Sequence, residues 1–256
     1  MHFSTLLIEP PGIDSQLLQL MLGPEKFRVR TSECGLKAWN TILTEDVPDL
    51  VVMDADLPQQ GELQITAVQL LEMMNNQAQW SNIPKIILAS NSNPSILKIS
   101  SVASVNAIIL KPYDPRRFIQ EIYKSLKQHI ESHIAEVNRQ HIKLGTAFQE
   151  LIQLSEQGNF TTLKSAFTQL SCTIEKHFDF EEHFMARHNY PDFIDHHDNH
   201  KQLLTIVEHM KSEMAQSNKA ITSERIVKLR TDLFEDVNDD KKYIKFLSGL
   251  RSSLVG

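Results

Sequence analysis

The chain has 256 residues, of which 41% are hydrophobic and 23% are charged, and these values are typical of a globular protein of about two domains. The formal net charge is −6 and the pI is near 6.0, so the composition gives no sign of the basic face typical of nucleic-acid binding. The N-terminus lacks the layout of a signal peptide and no run of about 18 apolar residues occurs, so we expect neither secretion nor a membrane span. Two isolated cysteines, Cys34 and Cys172, indicate no disulfide framework, and we expect a cytoplasmic protein.

Five short apolar runs alternate with amphipathic stretches in the first part of the chain. The runs predict strands at Thr5–Ile8, Phe27–Arg30, Leu50–Met53, Ile86–Ala89 and Ala107–Leu110. Stretches with helical spacing, such as Ser15–Leu22 and Leu36–Leu43, lie between them. Five β-α units in series predict one parallel sheet that is covered by helices on both faces.

Strand signals stop near residue 125, and four long helices are predicted after it. The first ends near Gly158 and the second spans about Thr161–His188. The third begins after Pro191 and ends near Ser217, and the fourth begins after Ser223. Four helices with short connections are typical of an antiparallel bundle. We therefore predict two domains, at residues 1–127 and 128–256.

The junction between the two predicted domains has no helix breaker between Pro115 and Gly145. Apolar or aromatic residues recur there every three or four positions, at Phe118, Ile122, Leu126, Ile130, Ile134, Val137, His141, Leu144 and Phe148. This spacing predicts one continuous helix of about 40 residues, or about 60 Å. The alternative is two helices that meet at a polar kink near Gln128 and His129.

Four polar side chains are predicted at the carboxyl ends of the strands, where doubly wound folds place their sites. They are Glu9, Asp54, Ser90 and Lys111. An aspartate can accept a phosphoryl group as an acyl phosphate, a neighbouring carboxylate can hold Mg²⁺, and a lysine can pair with phosphoryl oxygens. The sequence therefore predicts a phosphate-type site.

The segment 50–58, LVVMDADLP, and the segment 110–113, LKPY, resemble the phosphoacceptor strand and the lysine motif of response-regulator receiver domains. The resemblance covers residues 3 to about 127 and implies a flavodoxin-like receiver with Asp54 phosphorylated, Lys111 reporting phosphorylation and a sensor histidine kinase or phosphotransfer protein as partner. Pro10 stands where the family has a second acidic residue, which should weaken Mg²⁺ binding. The family's Thr/Ser falls on Ala89 or Ser90, and Ile108 replaces an aromatic residue. The alternative is a docking or dimerisation module that takes no phosphate.

Metal-binding side chains recur at helical spacing in the second half. His177 and Glu181 stand four residues apart, as do His196 and His200, so each pair shares one helix face. His141 occupies an apolar-periodic position, and the fourth helix offers several carboxylates: Glu235, Asp236, Asp239 and Asp240. Inward histidines and carboxylates on facing helices are typical of di-iron bundles. We expect His129, His133, His188 and His209 to be solvated, and His183 and His197 to have a surface or packing role.

These motifs resemble hemerythrins and bacteriohemerythrins over about residues 130 to 248. The segments are 138–141 (NRQH), 177–185 (HFDFEEHFM), 190–200 (YPDFIDHHDNH) and 240–243 (DKKY). The resemblance implies a non-heme di-iron centre with Glu181 and Asp240 as bridges. His141 and His177 would bind one iron, and His196 and His200 the other.

The fourth helix departs from the family, because Glu235 stands where a histidine ligand is expected. A one-residue gap would offer Asp236 instead, and a water ligand is the other alternative. An anionic oxygen ligand would lower the reduction potential of the metal and favour its oxidised form. A simple role in reversible O2 transport is therefore not expected.

From both resemblances we predict a response regulator that senses O2 or redox state at its di-iron bundle. Two other hypotheses stay open. In the first, the bundle is an oxidase, a peroxidase or a nitric-oxide-handling centre, and the receiver is a degenerate docking module. In the second, both domains are interaction modules without iron. We expect neither a nucleic-acid nor a membrane partner, and a homodimer stays open.

Overall fold

The structure is a computed structural model that describes residues 2–23, 26–58, 64–102, 104–217 and 221–254, without the side chains of 217 and 235–239. The chain divides into two compact units. Unit 1 comprises Met1–Ile130 with Leu254–Gly256, and unit 2 comprises Glu131–Ser253.

Unit 1 contains the predicted five-stranded parallel sheet. Its strands are β1 (Phe3–Ile8), β2 (Phe27–Ser32), β3 (Leu50–Asp54), β4 (Lys85–Ser90) and β5 (Val105–Lys111). They are hydrogen-bonded in the order β2-β1-β3-β4-β5, with every pair parallel. The intervening helices are α1 (Ile13–Leu22), α2 (Gly35–Thr44), α3 (Ala67–Asn75), α4 (Ala78–Ser81) and α5 (Ile96–Ser100). This strand order is that of flavodoxin-like folds, as predicted.

The central strands are continuous apolar runs because both faces of the sheet are covered. All five residues of β3 are buried, and so are the first five of β4. The buried strands fix the places where the polar residues that follow them emerge. Since the strands are parallel, their carboxyl ends share one edge of the sheet.

The predicted continuous helix is confirmed. Helix α6 runs without interruption over the 42 residues Pro115–Glu156, a length of about 63 Å at 1.5 Å per residue. The alternative of a break near Gln128 is wrong. Buried side chains continue at spacings of three, four or seven residues along α6, at Phe118, Ile122, Leu126, Ile130, Val137, Leu144, Phe148 and Leu151.

Three further helices complete unit 2, namely α7 (Phe160–Arg187), α8 (Phe193–Ser217) and α9 (Ser223–Ser253). One hydrophobic core contains side chains from all three and from the second half of α6, which is the arrangement of a four-helix bundle. Gly158 lies in the short link between α6 and α7 and has a positive φ of 71°. The side chain of Asn159 then caps α7 by accepting a hydrogen bond from the backbone N–H of Thr162 at 3.2 Å. Among the helices that the structure describes, none is both long and apolar enough to cross a bilayer.

Candidate phosphoacceptor and metal sites

Three of the four predicted residues at the carboxyl edge of the sheet are in direct contact. Asp54 ends β3, Glu9 follows β1, and Lys111 ends β5. The Lys111 ammonium donates to Oδ2 of Asp54 at 2.9 Å and to Oε1 of Glu9 at 3.1 Å. The sheet thus brings two carboxylates onto one ammonium from three distant parts of the chain.

The electrostatics of this edge are set by burial. Glu9 and Asp54 are only 4% and 5% exposed. Burial, and then the charge of Asp54, raise the pKa of Glu9 to about 7, although Lys111 opposes the shift. Burial alone would lower the pKa of Lys111, but its hydrogen bond to Asp54 and the charges of both carboxylates raise it above its usual range. The pocket therefore favours a cation.

The fourth predicted residue, Ser90, ends β4 in register with Lys111. Its hydroxyl lies 3.5 Å from that of Ser92, whereas the preceding Ala89 is fully buried. Ala89 and Ser90 are the two residues on which the family's Thr/Ser position can fall. Of these two, Ser90 is partly exposed. Ile108 is half-buried in β5.

Three contacts at this edge were not predicted. Asp14, in the first turn of α1, has its Oδ2 3.7 Å from the Lys111 ammonium. The backbone N–H of Asp56 donates to Oδ1 of Asp54 at 2.8 Å, and the Asn93 amide donates to Oδ1 of Asp56 at 2.6 Å. A signal for Asp14 exists in the sequence, since a carboxylate six residues beyond a strand of this sheet lies within reach of the same edge.

In unit 2, six of the predicted metal ligands converge. His141 lies on α6, His177 and Glu181 on α7, His196 and His200 on α8, and Asp240 on α9. They form two groups, and the ligand atoms of each group all lie within 4.8 Å of one another. Glu181 belongs to both groups. The first group adds His141, His177 and Asp240 to Glu181, and the second adds His196 and His200. A carboxylate shared between two sets of imidazoles is an arrangement that can bind two neighbouring cations.

The donor set fits a pair of metal ions. Nε2 of His141 lies 3.1 Å from Nε2 of His177 and 3.2 Å from Oδ2 of Asp240. Both carboxylate oxygens of Glu181 and of Asp240 are buried and accept no hydrogen bond from the described part of the chain. Leaving buried carboxylate oxygens without hydrogen bonds is costly unless a cation compensates them. Imidazole and carboxylate together are ligands suited to iron.

Outer residues orient two of the candidate ligands. Gln140 Oε1 lies 2.9 Å from Nδ1 of His177, and Glu182 Oε1 lies 2.8 Å from Nδ1 of His200. A carboxylate only accepts hydrogen bonds, so Nδ1 of His200 carries the proton and Nε2 keeps its lone pair. The other oxygen of Glu182 lies 2.9 Å from Nδ1 of His197. The positioning role of Glu182 was not predicted.

Burial, neighbouring charges and hydrogen bonds shift the pKa values of His177, Glu181 and Glu182. Burial, and then the neighbouring imidazoles, lower the pKa of His177 to about 3. Burial raises the pKa of Glu181, and the charge of Asp240 adds to this shift. Burial alone would raise the pKa of Glu182, but hydrogen bonds from His200 and His197 bring it below its usual value. Neutral imidazoles are the form that binds a metal ion.

The predicted fourth-helix ligand, Glu235, is in α9, but its side chain lies outside the described residues, as do those of Asp236 and Asp239. The prediction that a carboxylate replaces a histidine there stays a prediction. Asp240, one turn further, is 1% exposed and belongs to the cluster.

The expectation of solvated histidines was wrong for His133 and His188, and His129 is half-buried. His133 is 5% exposed and its Nε2 lies 2.8 Å from the hydroxyl of Tyr243, which is fully buried. His188 is 4% exposed, and its Nδ1 donates to the carbonyl of Phe184 at 3.0 Å. His133 also stacks on Phe180 and Phe184. His183 and His197 are exposed, in keeping with a surface role, and His209 is exposed as predicted.

Two family models match the chain. Residues 6–123 match the response regulator receiver domain, and residues 132–244 match the hemerythrin HHE cation binding domain. The two ranges correspond to the two compact units, and each contains the candidate site described above.

Curated relatives and solved structures match the N-terminal half. The two-component response regulator ORR3 of Oryza sativa, in both the indica and the japonica subspecies, is 20% identical over 110 residues, which are 43% of this chain and 80% of the relative. The receiver domain of a sensor histidine kinase from Pseudomonas aeruginosa PAO1, with magnesium in its active-site cleft, is 18% identical with a TM-score of 0.43 and covers 49% of this chain and 98% of its own. The receiver domain of an HD domain-containing protein from Pseudomonas fluorescens Pf-5 is 21% identical with a TM-score of 0.44 and covers 50% and 98%.

Proposed function

We propose, on the premise that this chain joins a response regulator receiver domain to a hemerythrin HHE domain, that it is a two-component response regulator whose C-terminal bundle binds a non-heme di-iron centre and senses oxygen or redox state. In this proposal residues 1–127 form the receiver and residues 128–256 the sensing bundle, and the protein acts in the cytoplasm.

The observation that carries the proposal is the pair of ligand groups that share Glu181. His141 and His177 would hold one iron, His196 and His200 the other, and Glu181 and Asp240 would bridge them. Glu235 would complete the set from α9. A di-iron centre supplies one-electron chemistry and affinity for small ligands such as O2. The chain fixes the orientation of His177 through Gln140 and of His200 through Glu182, and it keeps the centre buried.

At the receiver, Asp54 is the proposed phosphoacceptor. Its Oδ1 is held by the N–H of Asp56 and its Oδ2 by Lys111, which fixes the carboxylate at the open edge of the sheet. Glu9 and Asp54 would hold Mg²⁺, which would supply positive charge at this edge, and Lys111 would pair with the phosphoryl oxygens. A sensor histidine kinase or a phosphotransfer protein would donate the phosphoryl group.

Metal analysis tests the sensing bundle. We expect the iron-reconstituted protein to hold about two iron ions per chain and its ultraviolet–visible spectrum to change when O2 is admitted. Glu181→Ala should lose most of the iron because it removes the shared carboxylate. His183→Ala, which alters an exposed histidine on the same helix, should retain it. A wild-type protein without iron would overturn the proposal, and sustained turnover of O2 or peroxide would assign an enzyme instead of a sensor.

Phosphorylation tests the receiver. After incubation with acetyl phosphate and Mg²⁺, we expect the intact mass to increase by one phosphoryl group. Asp54→Asn should abolish the increase, whereas Asp46→Asn, at an exposed position before β3, should not. A wild-type protein that gains no mass would leave the receiver as a docking module.

A further inference from the structure

We propose that Asp14 adds a third carboxylate to the Mg²⁺ site of Glu9 and Asp54, in place of the carboxylate that Pro10 cannot provide. This inference rests on the proposed receiver function. It concerns a residue outside the motifs by which the sequence resembles receivers, and it predicts that the loss at position 10 is compensated six residues beyond β1.

The position of Asp14 follows from the turn after β1. The strand ends at Ile8, Glu9 is the first residue beyond it, and α1 begins at Ile13. Asp14 therefore lies in the first turn of a helix that starts at the carboxyl edge of the sheet. Its Oδ2 is 3.7 Å from the Lys111 ammonium, the same group that contacts Asp54 at 2.9 Å and Glu9 at 3.1 Å.

The charges around Lys111 do not balance without a cation. Three carboxylates surround one ammonium, which leaves an excess of two negative charges when all three are ionised. One divalent cation would neutralise this excess. Mg²⁺ accepts hard oxygen ligands, is commonly bound through one or two carboxylates, and retains several waters.

A buried oxygen gives independent evidence for a cation. Glu9 is 4% exposed, and its Oε2 has no hydrogen-bond partner within the described residues, while its Oε1 is bonded to Lys111. An orphaned buried carboxylate oxygen needs a compensating charge or bond. By contrast, the Asp14 side chain is 62% exposed, so it is accessible from solvent and can turn toward an incoming ion.

The competing explanation for Asp14 is local. An acidic residue in the first turn of a helix interacts favourably with the helix dipole whether or not any ion binds. That explanation predicts that removing the charge of Asp14 leaves the Mg²⁺ affinity unchanged, and the two explanations are therefore separable.

The test is calorimetric titration of MgCl2 into the iron-loaded protein of residues 1–256. We expect Asp14→Asn to raise the dissociation constant for Mg²⁺ about tenfold or more, the lower end of losses that follow removal of metal-site carboxylates or their partners. The charge-matched control Asp46→Asn should leave it unchanged. Adding Pro10→Asp to Asp14→Asn should restore the affinity, because it returns a carboxylate to the same edge.

Glu9→Gln and Asp54→Asn separate the two levels of the proposal. If both weaken Mg²⁺ binding while Asp14→Asn does not, the role of Asp14 is overturned and the Mg²⁺ site stands. If neither weakens it, the site itself is wrong, and the assignment of Asp14 fails with it. A parallel loss in Asp14→Asn and Asp46→Asn would attribute the effect to net charge and would also overturn the inference.

Discussion

Gln140 and Glu182 occupy comparable positions beside candidate metal ligands but differ in charge. Each accepts a hydrogen bond from Nδ1 of a histidine, His177 for Gln140 and His200 for Glu182. An imidazole that is hydrogen-bonded to a carboxylate donates its electron pair to a metal ion more strongly than one that is hydrogen-bonded to a neutral amide. The two halves of the proposed centre are therefore electronically unequal.

This inequality predicts the effect of Glu182→Gln. The substitution keeps the shape of the side chain but removes the negative charge, so His200 becomes a weaker donor. We expect iron affinity to fall about 10- to 100-fold and the midpoint potential to rise. Iron release to a chelator and a potentiometric titration measure the two effects. Asp179→Asn on the same helix is the control, and unchanged values for Glu182→Gln would contradict the positioning role.

The buried His188 predicts a pH dependence. Burial lowers its pKa to about 4, from 6.5 in the unfolded chain. The unfolded state therefore binds more protons between these values, and stability is lost as the pH falls from about 6.5 to 4. The loss is about 3 kcal/mol at 1.36 kcal/mol per pH unit. Melting of the metal-free protein should depend less steeply on pH in His188→Gln than in wild type, whereas His183→Gln should keep the wild-type slope.

The residues that sequence analysis missed share one property, which is that distant contacts decide their environment. The local sequence around His133 in α6 suggests an exposed side chain. Its burial depends on packing against Tyr243, which lies 110 residues away in sequence. The position of Asp14 six residues beyond β1 brings it near the edge of the sheet, but its contact with Lys111 depends on β5, which is distant in sequence. The candidate ligands on α7 and α8 could be picked out from the sequence because each pair lies at i, i+4 within one helix.

At the scale of elements, the helices and strands were mostly predictable, and their ends less so. Short segments rich in apolar residues indicated all five strands, yet β5 extends over Val105–Lys111, two residues earlier and one later than its predicted segment. Helix α6 was predictable because no glycine or proline interrupts Arg116–Leu144. The ends depend on hydrogen bonds with neighbouring elements, which the local pattern does not contain.

Two glycines of unit 2 give opposite predictions for the same substitution. Gly158 has φ 71°, a conformation that costs an L-residue about 1 kcal/mol or more, so Gly158→Ala should destabilise the bundle by about 1 kcal/mol. Gly249 lies within α9 with open space at its Cβ position, so Gly249→Ala should stabilise the bundle by about 0.5–1 kcal/mol. Urea unfolding followed by circular dichroism measures both. Shifts of the same sign would refute the assigned conformations.

At the scale of the whole molecule, one helix contributes residues to both units. Pro115–Ile130 of α6 belong to unit 1 and Glu131–Glu156 to unit 2. The order of β-α units and the four long helices predicted two domains at residues 1–127 and 128–256, and the chain divides into compact units at Ile130 and Glu131. Whether the two sites influence each other is a separate question, because it depends on free-energy differences between states and not on the fold.

If redox state of the iron and phosphorylation both bias the same conformational equilibrium, the coupling must be reciprocal. We expect the affinity of the receiver for beryllofluoride, a phosphoryl mimic, to differ at least about fivefold between the oxidised and the reduced iron-loaded protein. The midpoint potential must then shift by about 40 mV when beryllofluoride binds, since a tenfold change corresponds to about 59 mV for one electron. Gln128→Pro, which interrupts α6 at an exposed position, should abolish both shifts while each site keeps its own ligand. Equal beryllofluoride affinities in the two redox states would rule out coupling, and coupling that persists in Gln128→Pro would exclude the intact helix as its route.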